Sequence, residues 1–560
     1  MDSKTNSSTV LKPGKTPRHR ALVALALAGS ALAFFFGTGL HPIWWLTWLA
    51  PLPVLLAAPR LSRRTAFALA FGAFTLGALN VWSYDRVVTP LWLSIVILFA
   101  PSLLFACIVS VHRGFILRGQ TFRAAFALPV LWTAVEYLSE FRSPHSTWGN
   151  LAYTQLDCLP LIQIASITGI WSISFVVLLF PSTIAVMLAP RSLTLTRKPA
   201  YQPTLAVAGA IFIVVFGYGF YRLATAPTSP RVTVALISTD RKLCAQGPAT
   251  VDLVRAYVAQ IPGLTSQGAK VIVLPEKIGH IKGDDLAQAD AILEQAARDN
   301  RVTIFVSFEH QPNLHEARLY SPDGRLEGTY EKHHMLPRFE SHLLPGTARL
   351  TFDRPSNDGS EGKWGVEICK DMDFPLLSRQ YANDGAQLML VPAWDFIADG
   401  WLHGRMAIFR GVESGFSIAR SVKQGILSLS DSRGRVLAQR VTGSGTFDTI
   451  VGDVPLGSGA TFYDRTGNWF AWVDLVFAAL LFVPARHKRS LEDLHGHLCP
   501  AGASKQANER LRPLICNAVK LVVISERICP ATMIRPLPTA LNRAMLDTPC
   551  WRPYERFQVS

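Results

Sequence analysis

Glu276 in VIVLPEKIGH, Lys332 in YEKHHMLPRFE and Cys369 in WGVEICKDMDFP are the residues of this chain whose types and order suggest chemistry. A carboxylate base, a fixed ammonium and a thiol nucleophile are what acyl transfer through a thioester requires. A free thiol has a pKa near about 8.5 and is mostly protonated at neutral pH, so it needs a base. Glu276 would take the Cys369 proton, then return one to a leaving alcohol or accept one from an incoming amine. Lys332 would face the oxyanion, with the backbone N–H of Lys370 as a second donor.

The elements that must position these groups alternate between strands and helices. RVTVALIS, AKVIVLPE, VTIFVSFE, KWGVEIC and AQLMLVPAWD are short β-branched or apolar runs, and Asp285–Asn300 is an Ala-rich amphipathic helix. Leu253–Gln267 has helical spacing. Turns at Pro322-Asp323-Gly324 and Ser432-Arg433-Gly434 mark two hairpins. The pattern predicts a layered α/β domain, with Glu276 and Cys369 at the C-terminal ends of strands, where such folds gather catalytic groups.

That domain lies between apolar segments. With 560 residues, 17% of them charged, and a mean hydropathy of +0.24, the chain is too apolar for an ordinary soluble protein. Candidate spans are Ala21–Gly39, Ile43–Ala58, Ala66–Trp82, Leu91–Val111, Phe122–Leu138, Leu161–Ala189, Leu205–Leu223 and a separate Trp469–Pro484. Lys4, Lys12, Lys15, Arg18 and Arg20 precede the first. Arg60, Arg63 and Arg64 follow the second, Arg113, Arg118 and Arg123 the fourth, and Arg191, Arg197 and Lys198 the sixth. The other breaks carry little charge, so the positive-inside rule puts the N-terminus in the cytoplasm and the α/β domain outside. GSALA resembles a cleavage site, but the apolar run continues past it and predicts a retained first helix.

The net charge of +15 sits on the cytoplasmic side. The region from Pro227 to Pro484 is slightly acidic, which argues against nucleic acid as a partner. The eight cysteines show no metal-ligand spacing and no disulfide framework. Cys369 is therefore expected to be free rather than paired with Cys244. No metal is expected at His333 and His334 either, since neighbouring side chains on a strand point apart. Trp394 and Trp401 are candidates either for an acyl-chain entrance or for core packing.

The order of LPE, YEKHHMLP and EIC resembles the nitrilase, or carbon–nitrogen hydrolase, superfamily. With spans on both sides, the chain is similar to one branch of it, the apolipoprotein N-acyltransferases. STWGNLAYTQ, DGWLHGRMAIFRGVESG and TFYDRTGNW extend the likeness. The resemblance implies a multi-span α-helical membrane domain with an α-β-β-α sandwich. It implies a Glu276-Lys332-Cys369 triad without a cofactor, a phospholipid acyl donor, and an apolipoprotein acceptor whose diacylglyceryl-cysteine amine receives the chain. It also places Glu340 where the family has a second carboxylate, supporting Lys332 or the amine. The expected organisation is a basic N-terminus at 1–20, about seven helices at 21–226, a catalytic domain at 227–467, an eighth span at 468–486 and a cytoplasmic tail at 487–560 of no recognised role. The expected setting is the inner membrane, as a monomer among membrane lipids, with the catalytic domain on the periplasmic side.

Three positions depart from the family pattern. Lys370-Asp371 stands where Tyr-Glu is usual, and Lys277 where a small Thr or Ser follows the first Glu. These changes leave the substrate open. The alternatives are an anchored amidase, in which water rather than an amine resolves the thioester, and a transporter or receptor carrying a relic domain. Few charges lie within the spans, which disfavours ion-coupled transport.

Overall fold

Helices come first along the chain: α1 (Pro17–Gly37), α2 (Trp44–Leu49), α3 (Leu52–Ala57), α4 (Arg63–Ala78), α5 (Trp82–Val88), α6 (Leu91–Leu117), α7 (Thr121–Glu140), α8 (Leu159–Ile162), α9 (Ala165–Thr168), α10 (Trp171–Met187) and α11 (Tyr201–Ala224). The computed structural model describes residues 17–190, 192, 201–225, 229–243, 245–310, 312–443 and 445–483. The basic residues before Pro17, Cys244, Arg191, Arg197, Lys198 and the tail at 487–560 lie outside the described residues. Four stretches are long and apolar enough to cross a bilayer: His19–Gly37, Arg63–Val88, Leu91–Leu117 and Tyr201–Ala224. Their outer faces keep Leu25, Ile213 and Val214 mostly exposed. Large apolar side chains exposed in this way suit lipid rather than water.

Two expected spans differ in shape. Ile43–Ala58 is divided into α2 and α3 at Pro51, which has no N–H to continue the helical ladder, although Ala50 and Pro51 keep right-handed helical angles. Leu161–Ala189 is divided into α8, α9 and α10. Gly169, at φ 66°, ends α9, and a Cβ there would meet the Tyr463 ring at 2.7 Å, so only glycine makes this turn easily.

The α/β part comprises β1 (Arg231–Ser238), β2 (Ala245–Gln246), α12 (Pro248–Val258), α13 (Ile261–Thr265), β3 (Val271–Val273), β4 (Gly279–Ile281), α14 (Gly283–Asn300), β5 (Thr303–His310), β6 (Leu314–Tyr320), β7 (Leu326–Glu331), β8 (Thr351–Pro355), β9 (Glu361–Val366), α15 (Pro375–Asn383), β10 (Leu388–Trp394), α16 (Gly400–Ser414), β11 (Ser417–Lys423), β12 (Ile426–Ser430), β13 (Val436–Val441) and β14 (Asp448–Pro455). Then follow α17 (Phe462–Thr466) and α18 (Trp469–Leu481). The 13 residues of α18 reach about 20 Å, short of the roughly 30 Å hydrocarbon core expected for the segment 468–486. The residues beyond Val483 are not described.

One sheet has the order β14-β1-β3-β5-β4-β2, with β6 and β7 added at β5; the other runs β13-β12-β11-β10-β9-β8. Val234, Phe305 and Leu319 of the first sheet meet Trp364, Leu390 and Ile418 of the second in a shared apolar core. Val251 and Val254 of α12 and Leu293 of α14 cover the outer face of the first sheet. Met406, Phe409 and Val412 of α16 join the apolar core of the membrane helices instead. The result is the expected α-β-β-α sandwich, with one helical layer packed against the membrane helices.

Candidate active site

Glu276 and Cys369 are brought together by the end of β10. The Glu276 N–H donates to the Ala393 carbonyl at 3.2 Å, and the Cys369 thiol lies 3.6 Å from the next carbonyl, that of Trp394. Acid and thiol thus hang on successive residues of one strand, although they belong to different sheets. Neither closes its own strand as expected. Glu276 stands beyond the end of β3, and Cys369 opens a 3-10 turn after β9. Cys369 has φ 46°, a left-handed conformation that a non-glycine residue adopts only when its surroundings enforce it.

Asp371 supplies much of that enforcement. Its carboxylate accepts from the Ile368 N–H at 3.1 Å, the Tyr330 hydroxyl at 2.8 Å, and the His334 N–H at 2.8 Å. The His333 N–H reaches it at 3.2 Å and the His334 ring at 3.0 Å. Asp371 thereby ties the nucleophile turn to the segment that follows Lys332. Burial alone would raise its pKa, but the His334 contacts, Lys332 and the Tyr330 hydrogen bond hold it below the usual aspartate range. Asp371→Asn keeps the size but removes the charge, and is expected to cost about 2 kcal/mol of stability. Because the native-state pKa is lowered, that contribution is present above pH ~4 and fades as pH falls through the lower folded value. The check is thermal unfolding of both proteins across pH 3–7.

Lys332 is buried between two carboxylates. Its Nζ donates to Glu276 Oε1 at 2.8 Å and to Glu340 Oε1 and Oε2 at 3.0 and 2.8 Å. Burial would lower the lysine pKa, but Glu276, Glu340 and Cys369 hold it well above its usual value, so it is a fixed cation. Glu340 also accepts from the Leu336 N–H at 2.7 Å. Burial pushes Glu340 up, but Lys332, Lys277 and His315 hold it well below the usual carboxylate range. A carboxylate so committed is a poor base and a firm support for Lys332. The Cys369 thiol is pushed well up by burial and by Glu276, with Lys332 opposing, so it rests protonated and needs a base.

Lys370, expected to contribute its backbone N–H, sends its side chain elsewhere. Its ammonium turns to His145 Nδ1 at 3.0 Å and Asp373 Oδ2 at 3.3 Å. Only its backbone N–H remains a candidate for the oxyanion. Trp394 is a wall: its ring lies under the Lys423 ammonium at 3.7 Å, and its Nε1 donates to Gln424 at 2.9 Å. Trp401 lies beside Arg405 and near His41. Cys369 is a free cysteine.

His315 was not anticipated. It is fully buried, with Nε2 3.5 Å from Glu276 and Nδ1 3.5 Å from Glu340. Burial and Lys277 lower its pKa, leaving a neutral imidazole. The signal lay in β6, where alternation puts His315 on one face with Ala317 and Leu319, a polar ring in an apolar row. Glu276, His315 and Glu340 have the spacing of a metal site, but the Lys332 ammonium already provides the cation there. A second buried group comprises Asp395 paired with Arg420, and His403 lying 3.4 Å from Asp395 and 3.5 Å from Asp399. These acids raise His403 to about 10 against burial, which favours an imidazolium paired with them.

The membrane helices reach this region. Tyr84 of α5 donates to Asp399 at 2.5 Å. Thr147, in the segment after α7, donates to the Asp373 carbonyl at 2.9 Å.

Comparison with known proteins covers both halves of the chain. Residues 28–183 match the apolipoprotein N-acyltransferase N-terminal domain, and residues 233–460 match the carbon–nitrogen hydrolase domain. An apolipoprotein N-acyltransferase from Geobacter metallireducens is 29% identical over 85% of this chain and 97% of its own. One from Vibrio vulnificus is 23% identical over 81% of this chain and 96% of its own. An amidase structure from Nesterenkonia sp. is matched at 20% identity over 44% of this chain and 97% of its own, with a TM-score of 0.36. With the amino-terminal domain and the hydrolase domain present in this order, and full-length relatives of one name, the chain belongs to the apolipoprotein N-acyltransferase family, membrane proteins within the carbon–nitrogen hydrolase superfamily.

Proposed function

We propose that this protein moves an acyl chain from a membrane phospholipid to the N-terminal amine of a diacylglyceryl-cysteine lipoprotein, through a thioester on Cys369. The supporting observation is the union of the nucleophile turn with the membrane helices. Lys370 and Asp373, just after Cys369, bond to His145 and Thr147, and α16 packs into the membrane core. Anchoring of the nucleophile turn to the membrane part of the chain supports an acyl donor drawn from a bilayer, since a small soluble amide does not need it.

In the first half-reaction Glu276 takes the Cys369 proton as sulfur attacks the ester carbonyl. The carbonyl oxygen gains charge that the Lys332 ammonium and the Lys370 N–H stabilise. The C–O bond breaks, and Glu276 returns the proton to the lysophospholipid alcohol. In the second, the lipoprotein amine attacks the thioester and Glu276 takes its proton. The amide forms and the Cys369 sulfur leaves, regaining a proton. Glu340 positions Lys332 throughout. Surrounding lipid tails favour an amine over water as the acceptor.

The proposed setting is the inner membrane, with the α/β domain on the periplasmic side and one chain sufficient. Arg113 of α6 donates to the Ala58 carbonyl at 3.1 Å and the Leu61 carbonyl at 2.8 Å. Two of the basic breaks are thus gathered at one end of the helices, in keeping with the positive-inside orientation.

A pair of synthetic diacylglyceryl-cysteine peptides separates transferase from amidase. With phospholipid present, the free-amine peptide is expected to gain one acyl chain by mass, and the N-acetylated peptide none. Release of free fatty acid at equal rates with both would support the hydrolase instead.

A further inference from the structure

Lys277 follows Glu276 directly, and its ammonium enters the cluster of carboxylates around Lys332. Its Nζ lies 2.6 Å from Glu340 Oε1 and 3.3 Å from Glu309 Oε2, with only 14% of the side chain exposed. The backbone is shaped to aim it. Lys277 has φ 45°. Its N–H donates to Ser307 Oγ at 3.3 Å, and its carbonyl accepts from the Lys423 ammonium at 2.8 Å. Lys423 in turn covers the Trp394 ring, whose carbonyl faces the Cys369 thiol. The side chain reaches the carboxylate that supports Lys332.

The groups around it can be named by element. Glu276 precedes Lys277 in the chain. Glu309 on β5 carries His280 and His342 on its other oxygen, at 3.3 and 3.2 Å. His315 on β6 is neutral. Lys332 and Glu340 follow β7, and Lys423 ends β11. Without Lys277, Lys332 would be the one ammonium touching Glu276 and Glu340. With it, Glu340 has a second ammonium of its own, which also reaches Glu309.

We infer that Lys277 is a positioning residue that supplies the second cation of the catalytic centre, neutralising Glu340 so that Lys332 is left to serve Glu276 and the oxyanion. Its own pKa agrees: burial would lower it, yet Glu340 and Glu309 raise it, which keeps the ammonium charged. The consequence is a centre that works at lower pH. Removing a buried cation disfavours the anionic form of the nearby thiol.

This inference takes its chemistry from the acyl-transfer function but is tested by a readout that needs no lipid. The full chain in nanodiscs is treated with iodoacetamide at pH 9, and the rate of alkylation at Cys369 is followed by peptide mass. Lys277→Met is expected to slow alkylation about tenfold, with Lys277→Arg returning it to the wild-type rate. Lys277→Gln serves the same purpose if the methionine variant does not fold. A rate unchanged by loss of the charge, or slowed equally by Lys277→Arg, overturns the inference. Acyl adduct formation is measured on the same wild-type sample. Its absence would count against the acyl-transfer function while the alkylation rate still decides the role of Lys277.

Discussion

Lys332→Met is expected to slow thioester formation by about 100- to 1000-fold, with the protein still in the membrane. The effect has two sources, which separate experimentally. In the proposed mechanism the ammonium is the donor facing the developing oxyanion, and losing one such donor costs about 3–4 kcal/mol of barrier. It is also the cation shared by Glu276 and Glu340, at 2.8 Å from each. Breaking a buried ion pair by removing one partner costs about 3–5 kcal/mol of stability. Because the lysine pKa is raised in the folded state, its contribution is complete at neutral pH and is lost only as pH rises through that higher value. A lower melting temperature should therefore accompany the lower rate. Single-turnover acyl-adduct formation reads the first effect, and thermal unfolding in nanodiscs the second. An unchanged rate in a folded variant would remove Lys332 from the chemistry.

Much of this centre was legible in the sequence because its carriers are local. LPE and EIC end apolar runs, YEKHH follows a hairpin, and the two hairpins fall at their Pro-Asp-Gly and Ser-Arg-Gly turns. What escaped depends on contacts between sheets. The hydrogen bond from Glu276 to Ala393 joins strands far apart in the chain, and no local pattern announces it. His315 lay hidden because β6 is buried on both faces, so its alternation looked like ordinary core. The two departures also resolved differently. A basic residue beside Glu276 and one beside Cys369 look alike on paper, yet Lys277 turns toward Glu340 and Lys370 toward His145. Local geometry decides this, through the positive φ of Lys277 and Cys369. Among the membrane segments, hydropathy found the apolar stretches but not their breaks at Pro51 and Gly169, since a window average does not register one residue's backbone.

Cys369→Ala is expected to abolish covalent acylation completely, because no other side chain of the centre can form the thioester. The loss should be chemical and not structural. The thiol makes one long contact, 3.6 Å to the Trp394 carbonyl, and alanine at φ 46° strains the turn no more than cysteine does. Melting temperature should therefore change little.

The most direct measurement is the intact mass of wild type and Cys369→Ala after incubation with phospholipid vesicles. A mass increase of one acyl chain on wild type alone, removed by neutral hydroxylamine, is the predicted result. An adduct that persists in Cys369→Ala, or no adduct on wild type while the free-amine lipopeptide is still acylated, would contradict a thioester at Cys369.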